Sequence, residues 1–564
     1  MIIPDDGKRL AQWARELIDE CTVSVESRRQ QYTTWKQLFY TGSTTGTPSK
    51  HNRCYSHIDK LSAYLFAPSD VRFDLEFEGD DQAEWTTRTD AASRYLNRNF
   101  IRQKCDLAFS EAVMWSLIKG STLVKLVWGR GGLEPWIIQP EFFGVLREDI
   151  PSLDRQDAFV HTFYVTPTQF GRLLGNHPDK EKILRQVSGG SSISDEEVTG
   201  ESYSRPMITS GSDMMPGILL PGMSGPTQMG VVDIMSSGPM PMLAEGVANN
   251  LIRVSDLWVM DDKREDWTTI RYTDPDIIIE GLYRRRNLSD IPGSHPFTRV
   301  CSAEVPNYFW GRSELANVYE NQKLLTARVN NIDAIFNLNA KPPRSFRGFS
   351  GVTEDKARAL LSPGGVLTDS SPTGEIKDLS PSMPPGALEY INLLDSFFNE
   401  AAGFTAIMQG QGEPGVRAGS HADTLLRTSS PRLRTRALLV EKQAADFGEQ
   451  CLQMLQEKDA RILLAGTPES FLLAQLPEDV QVSVDSHTSS PAFSGDNASM
   501  AMALKRVGAI DDEALIEMMK PPRQDRLVAR VKEREEGQAK QMAELKEMDP
   551  EQWARAVSGG GRRR

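Results

Sequence analysis

From Ser313 to Asn339 the chain runs without a glycine or a proline, ahead of a proline-rich segment and a second helical pattern. At 1.5 Å per residue the stretch specifies a helix about 40 Å long. Ser313 is placed to cap it, because its hydroxyl can accept from an otherwise orphan backbone N–H. Leu315, Val318, Leu325, Val329, Ile332 and Phe336 recur at helical spacing and share one face, with Gln322 as a polar interruption. The opposite face carries Asn317, Glu320, Lys323, Asn330, Asn331 and Asn337. Lys341-Pro342-Pro343 stops the helix, since proline lacks the N–H and restricts the residue before it. A narrow apolar seam opposite a wide polar face predicts a helix packed beside copies of itself. On that reading Leu325→Asp or Ile332→Asp abolishes assembly and leaves the single chain folded.

A proline-rich segment follows, with short strand-like pieces such as Gly365-Val366-Leu367. A second helix, about 387–402, then returns on Leu388, Ile391, Leu394, Phe398 and Ala401, and Gly403 ends it. Gly410 to Gly419 reads as a loop. A further helix over 420–457 contains Pro431, which should kink or interrupt it. Upstream, helices are expected over 8–40, 53–66 and 82–118, the last ended by Gly120. Strands are expected over 71–78, 122–128, 136–139, 159–165, 251–260, 267–272, 277–282 and 297–303. Two helical segments, 498–519 and 523–557, finish the chain, and the class is α+β. Composition shifts at Ser188. Eight of the 20 methionines fall between Met207 and Met242, among Ser, Gly and Pro. The segment 188–247 reads as a flexible insertion or as an adaptable apolar contact surface.

The net charge of −13 excludes a protein that works by tight, non-specific neutralisation of phosphate, but not one that lets DNA slide. No apolar run approaches the roughly 20 residues that span a bilayer. The acidic start at Asp5-Asp6 is unlike a signal peptide. Cys21, Cys54, Cys105, Cys301 and Cys451 are scattered and odd in number, which fits a reduced setting. Gly46-Thr47-Pro48-Ser49-Lys50 only superficially resembles a phosphate loop, because proline removes a needed N–H. His51, Cys54 and His57 have ligand-like spacing without an evident fourth ligand, and they drift around a helix. Asp261, Asp262, Lys263 and Asp276 hold the residue types of a metal-dependent nuclease in the wrong order. No catalytic residue, metal or cofactor is expected.

Four pieces together carry a resemblance. Phe109-Ser110-Glu111-Ala112-Val113 leads through Lys119-Gly120 into Leu123-Val124-Lys125-Leu126. Gly311-Arg312-Ser313 opens the long helix. Asn399-Glu400-Ala401-Ala402-Gly403-Phe404 closes the return helix. Arg417-Ala418-Gly419-Ser420-His421-Ala422-Asp423 leads into Leu425-Leu426. In this order the chain resembles a bacteriophage portal protein, the head-to-tail connector, and looks closest to those of short-tailed phages, over about 1–190 and 250–460.

The resemblance implies a ring of subunits, typically twelve, at one capsid vertex of the virion, assembled in the host cytoplasm. Double-stranded DNA passes through it, terminase and tail adaptors dock on it, capsid protein surrounds it, and no membrane is involved. It implies a wing over 1–305, stem helices over 306–340 and 387–404, and a clip over 341–386. A tunnel loop and kinked helix would follow over 405–460, and a crown with a helical tail over 461–564. Gln409, Gln411, Arg417, His421, Lys323 and Arg328 would face the channel, and Lys341, Arg344 and Arg347 the partners at the clip. Leu315, Val318, Leu325, Val329, Ile332 and Phe336 would pack stem against stem. Twelve chains at −13 each would carry about −156, a field that repels phosphate and lets DNA slide. Another head–tail structural oligomer of the virion, or a metal-dependent DNA-processing enzyme, remain as alternatives.

Overall fold

The computed structural model describes residues 1–4, 7–44, 49–66, 68, 71–77, 82–129, 131–174, 180–188, 251–263, 266–273, 277–278, 294–340, 344–347, 353, 375–378, 382–403, 431–458, 460–463, 470–477, 480–484 and 501–519, and single positions between 527 and 537. The chain divides into two compact units, residues 1–68 with 73–483, and residues 69–72 with 484–564. The class is α+β, as the sequence pattern indicates.

In the larger unit, α1 (Gly7–Thr41) and α2 (Arg53–Leu65) precede β1 (Phe73–Phe77), α3 (Gln82–Arg102) and α4 (Cys105–Lys119). Strands β2 (Thr122–Gly129), β3 (Gly132–Ile138) and β9 (Phe297–Val300) form an antiparallel sheet in the order β3-β2-β9. Strands β4 (Phe143–Val145), β5 (Ala158–Val165), β6 (Ile252–Asp261), β7 (Asp266–Thr273) and β8 (Ile277–Ile278) form a second antiparallel sheet in chain order. Helices α5 (Pro167–Leu173) and α6 (Lys180–Ser188) lie between β5 and β6 in sequence.

Both faces of the larger sheet are covered, and β5, β6 and β7 are buried along nearly their whole length, polar residues included. On one face Leu10, Leu17, Ile18 and Cys21 of α1 cluster with Val160, Leu257, Ile270 and Tyr272. On the other, Phe159, Trp258 and Trp267 join Phe143, Phe297, Phe309 and Trp310. Phe170, Leu174, Ile183 and Val187 add a satellite over the end of β5 and β6.

A charged cluster is sealed in this core. Asp256 accepts from Arg271 through both carboxylate oxygens, and Lys125 Nζ lies 3.5 Å away. Burial alone would raise the Asp256 carboxyl. Arg271, Lys125 and His161 outweigh it and hold the carboxyl at about 2. Burial keeps His161 well below its ordinary value, and Lys125 and Arg271 push the same way.

The helical hairpin follows. Helix α7 (Leu315–Ala340) and helix α8 (Ala387–Ala402) pack along each other. Between them β10 (Arg344–Arg347) pairs antiparallel with β11 (Glu375–Asp378), setting Arg344 opposite Asp378 and Arg347 opposite Glu375. The Gly365-Val366-Leu367 piece lies outside the described residues. Helix α9 (Pro431–Glu457) begins at Pro431, where the missing N–H costs nothing. The kink or interruption expected there falls at the edge of the described residues, since 404–430 lie outside them. Short strands β12 (Arg461–Leu463), β13 (Ser470–Leu472) and β14 (Val480–Val484) escaped the sequence reading.

In the smaller unit the single helix expected over 498–519 is broken. A helical run over 501–507 stops at Gly508, whose φ of 76° is left-handed. Helix α10 (Asp512–Met519) restarts on Asp511, which accepts from Ala514 N at 2.7 Å. Most of the segment 523–557 lies outside the described residues, as does the insertion 188–247 apart from Ser188.

Candidate functional site

The hairpin α7–α8 is rooted where two sequence motifs meet. Helix α4 ends at Gly120, and α7 begins just after Gly311. A Cβ on Gly120 would lie 2.2 Å from Gly311 O, and one on Gly311 would lie 2.4 Å from Gly120 O. Only glycine admits that backbone approach, and Gly120 also has a φ of 98°. The approach joins the two helices end to end. Glu314 N donates to Leu117 O at 2.9 Å, and the Ser313 hydroxyl donates to Ile118 O at 2.5 Å. Ser313 Oγ in turn accepts from Leu315 N at 3.1 Å, the cap its position in the sequence suggests. The orphan carbonyls of one helix thus satisfy the orphan donors of the next, with their dipoles head to tail. Buried Glu314 also pairs with Arg436 of α9.

The half of the hairpin next to this root is latched by residues 42–44 and 49–53. Gln322 is fully buried. Its Nε2 donates to His51 O and Thr326 Oγ1, each at 3.0 Å, with Gly42 O at 3.4 Å, and its Oε1 accepts from Arg53 N at 3.1 Å. Thr326 Oγ1 donates to Gly42 O at 3.0 Å. Arg53 Nη2 reaches Asn399 Oδ1 at 2.8 Å and Asp395 Oδ2 at 3.1 Å, and the guanidinium lies over Phe398. Lys50 pairs with Asp333. One short segment therefore grips both helices.

The far half differs. Phe336 is 60% exposed and Leu388 62%, and Leu338, Tyr390 and Leu393 are also exposed. The seam expected to pack copies together is thus two surfaces. Leu315, Val318 and Leu325 are wholly buried within the chain, so they have no apolar area left for a neighbour. Val329 and Ile332 are half-buried, and only Phe336 of that set is exposed. This corrects the expectation for Leu325: an aspartate there would disrupt the single chain itself. The buried face of α7 looked narrow because part of it is the polar pair Gln322 and Thr326.

The structure does not bring the expected channel-facing cations together. Arg328 is exposed and lies over Tyr390 of α8, whereas exposed Lys323 lies over Tyr319 of its own helix. Five positions apart, they point about 140° away from each other around the axis. Arg347 is exposed on β10, and Arg344 occupies the same strand. Gln409, Gln411, Arg417, His421 and Lys341 lie outside the described residues. His51 belongs to the latch, Cys54 is buried with its thiol pushed up, and His57 packs edge-on against Phe398. Asp261 accepts from Lys263 N at 3.0 Å in the turn between β6 and β7, a structural role. Asp276 lies outside the described residues. All five cysteines are buried and free. Among the described residues no cluster of His, Cys, Asp and Glu is arranged to hold a metal, and no helix is long and apolar enough to cross a membrane.

Sequence reasoning missed Leu324, Leu338, Leu393 and Phe397, all exposed on the hairpin. They lie off the stripes that periodicity picked out. Compared with the models of known families and with curated proteins, the sequence matches none.

Proposed function

We propose that the chain is one subunit of a portal ring at a capsid vertex, forming the channel for DNA packaging and ejection. The observation that carries this reading is the far half of the α7–α8 hairpin, where apolar side chains on two long helices have no cover within the described chain. Burying such side chains gains about 1.5–3 kcal/mol each, and a monomer leaves that unclaimed. Two different faces, one on each helix, suit a heterologous head-to-tail contact, which closes into a ring when the rotation allows. The latched root fixes the hairpin angle in every subunit, so each repeats the same rotation. The α4–α7 junction supports the reading as well, since it joins two motifs that carry the resemblance.

On this reading the β10–β11 hairpin belongs to the clip and presents Arg344 and Arg347 to terminase and tail adaptors. The ring has no catalytic chemistry of its own. Electron microscopy of the purified protein tests it. A ring with a central hole of roughly 20 Å or more, against a major groove of about 12 Å, is the expected result. A monodisperse compact monomer or dimer would overturn it.

A further inference from the structure

Between α1 and the start of α7 lies a cavity of about 390 Å³. Arg28, Lys119, Arg312, Tyr32, Tyr308 and Trp310 are among its walls. Arg28 is the unusual member. Its side chain is only 11% exposed, its guanidinium stacks 4.5 Å over the Trp310 ring, and its Nη1 serves both Glu148 and Tyr308. The other edge, Nε with Nη2, is buried and makes no hydrogen bond of ordinary geometry among the described residues, with the Tyr32 hydroxyl facing the same guanidinium. That edge is the pair of parallel donors that grips a carboxylate or phosphate, and leaving buried donors unpaired costs about 1–3 kcal/mol each.

The surroundings favour an anion. Glu148 is already engaged, because its Oε1 also accepts from Trp310 Nε1 at 2.7 Å. Lys119 is paired with Glu141. Arg312 lines the same cavity, is exposed, and makes no ion pair among the described residues. A guanidinium without a counter-charge thus shares a cavity with a buried one whose second edge makes no hydrogen bond of ordinary geometry. We infer that this cavity is a binding site for a small oxyanion, phosphate or carboxylate, held by Arg28 and Arg312. The site does not depend on the portal reading, since every group that builds it belongs to one chain.

Two sources supply that chemistry: a free anion, or an acidic side chain of a second copy. Calorimetric titration of the full chain with inorganic phosphate, against chloride at matched ionic strength, tests the site. Saturable binding is expected. It should weaken about tenfold in Arg312→Ala and at least as much in Arg28→Lys, which keeps the charge beside Glu148 but loses the fork. Both variants should retain the wild-type urea midpoint to within a small shift. Absence of saturable binding, or binding unchanged in both variants, would sink the assignment. Mass photometry with and without saturating phosphate then separates the sources. Assemblies that fall apart identify a carboxylate of another copy as the occupant, and assemblies that persist identify a free anion.

Discussion

The two halves of the α7–α8 hairpin are built from the same kinds of residue and do opposite work. Near the root, polar side chains are buried: Gln322 and Thr326 hold the backbone carbonyls of Gly42 and His51, and Arg53 holds Asp395 and Asn399. Far from it, apolar side chains are exposed: Phe336, Leu338, Leu388 and Leu393. Polarity alone would assign each half the wrong environment. Satisfaction decides instead. A buried amide with all its bonds made is stable, whereas an exposed aromatic ring gains nothing from its position until something covers it. The root half is thus complete in one chain, and the far half leaves apolar side chains exposed there.

The largest effect should come from charging the root half. Leu325→Asp puts an unpaired carboxylate at a fully buried position, a class of change that costs more than about 4 kcal/mol. The expected outcome is loss of the cooperative thermal transition of the chain itself, read by circular dichroism. A folded Leu325→Asp monomer would erase the distinction between the halves. Gln322→Leu comes next. It nearly conserves volume but strands Arg53 N and His51 O, so roughly 3 kcal/mol should be lost, measured by urea unfolding. A change below about 1 kcal/mol would mean the latch contributes little. Gln322→Glu keeps the acceptor for Arg53 N but loses the donors, and should fall between the two.

Acid probes the core of the five-stranded sheet rather than either half of the hairpin. Buried His161 stays neutral in the folded chain, whereas unfolding frees it to titrate near its ordinary 6.5. Its folded value is lowered, so as pH falls below about 6.5 the unfolded state takes up a proton that the folded state refuses. Stability then drops by up to about 1.4 kcal/mol per pH unit. Asp256, held at about 2, adds a loss only between its unfolded value of 3.8 and that point. Arg271 and Lys125 are the cations facing His161, and burial lowers Lys125 from its ordinary value. His161→Gln should flatten the fall in urea midpoint between pH 6.5 and 5, and an unchanged slope would assign the loss to another group.

Much of the frame was legible in the sequence. The long helix, its Ser313 cap, the return helix to Ala402 and most wing strands follow from apolar period and from glycine and proline. Three things were not. The α4–α7 junction needs two glycines 191 residues apart in sequence to touch, and no local pattern encodes that. The latch hid because Gln322 and Thr326 break the apolar stripe, and period analysis treats a satisfied buried amide as noise. The splitting of the stripe depends on what lies beside each turn of α7, which residues 42–44 and 49–53 decide. The sequence pattern marked a face without saying which of its turns the chain itself would cover.

The smallest effect on the chain is the one that separates the halves most cleanly. Phe336→Asp and Leu388→Asp alter side chains already in water, so the urea midpoint of the single chain should move by no more than about 0.5 kcal/mol. In an assembly the same positions would bury a carboxylate against a neighbour's apolar face without a partner, at a cost of several kcal/mol per contact. A closed ring repeats that cost at every interface, so mass photometry should show only single chains where the wild type shows assemblies. Rings that survive both substitutions would mean that the far half of the hairpin faces solvent even when assembled. The exposed rings would then need a different occupant, and the stem would owe its order to the root alone.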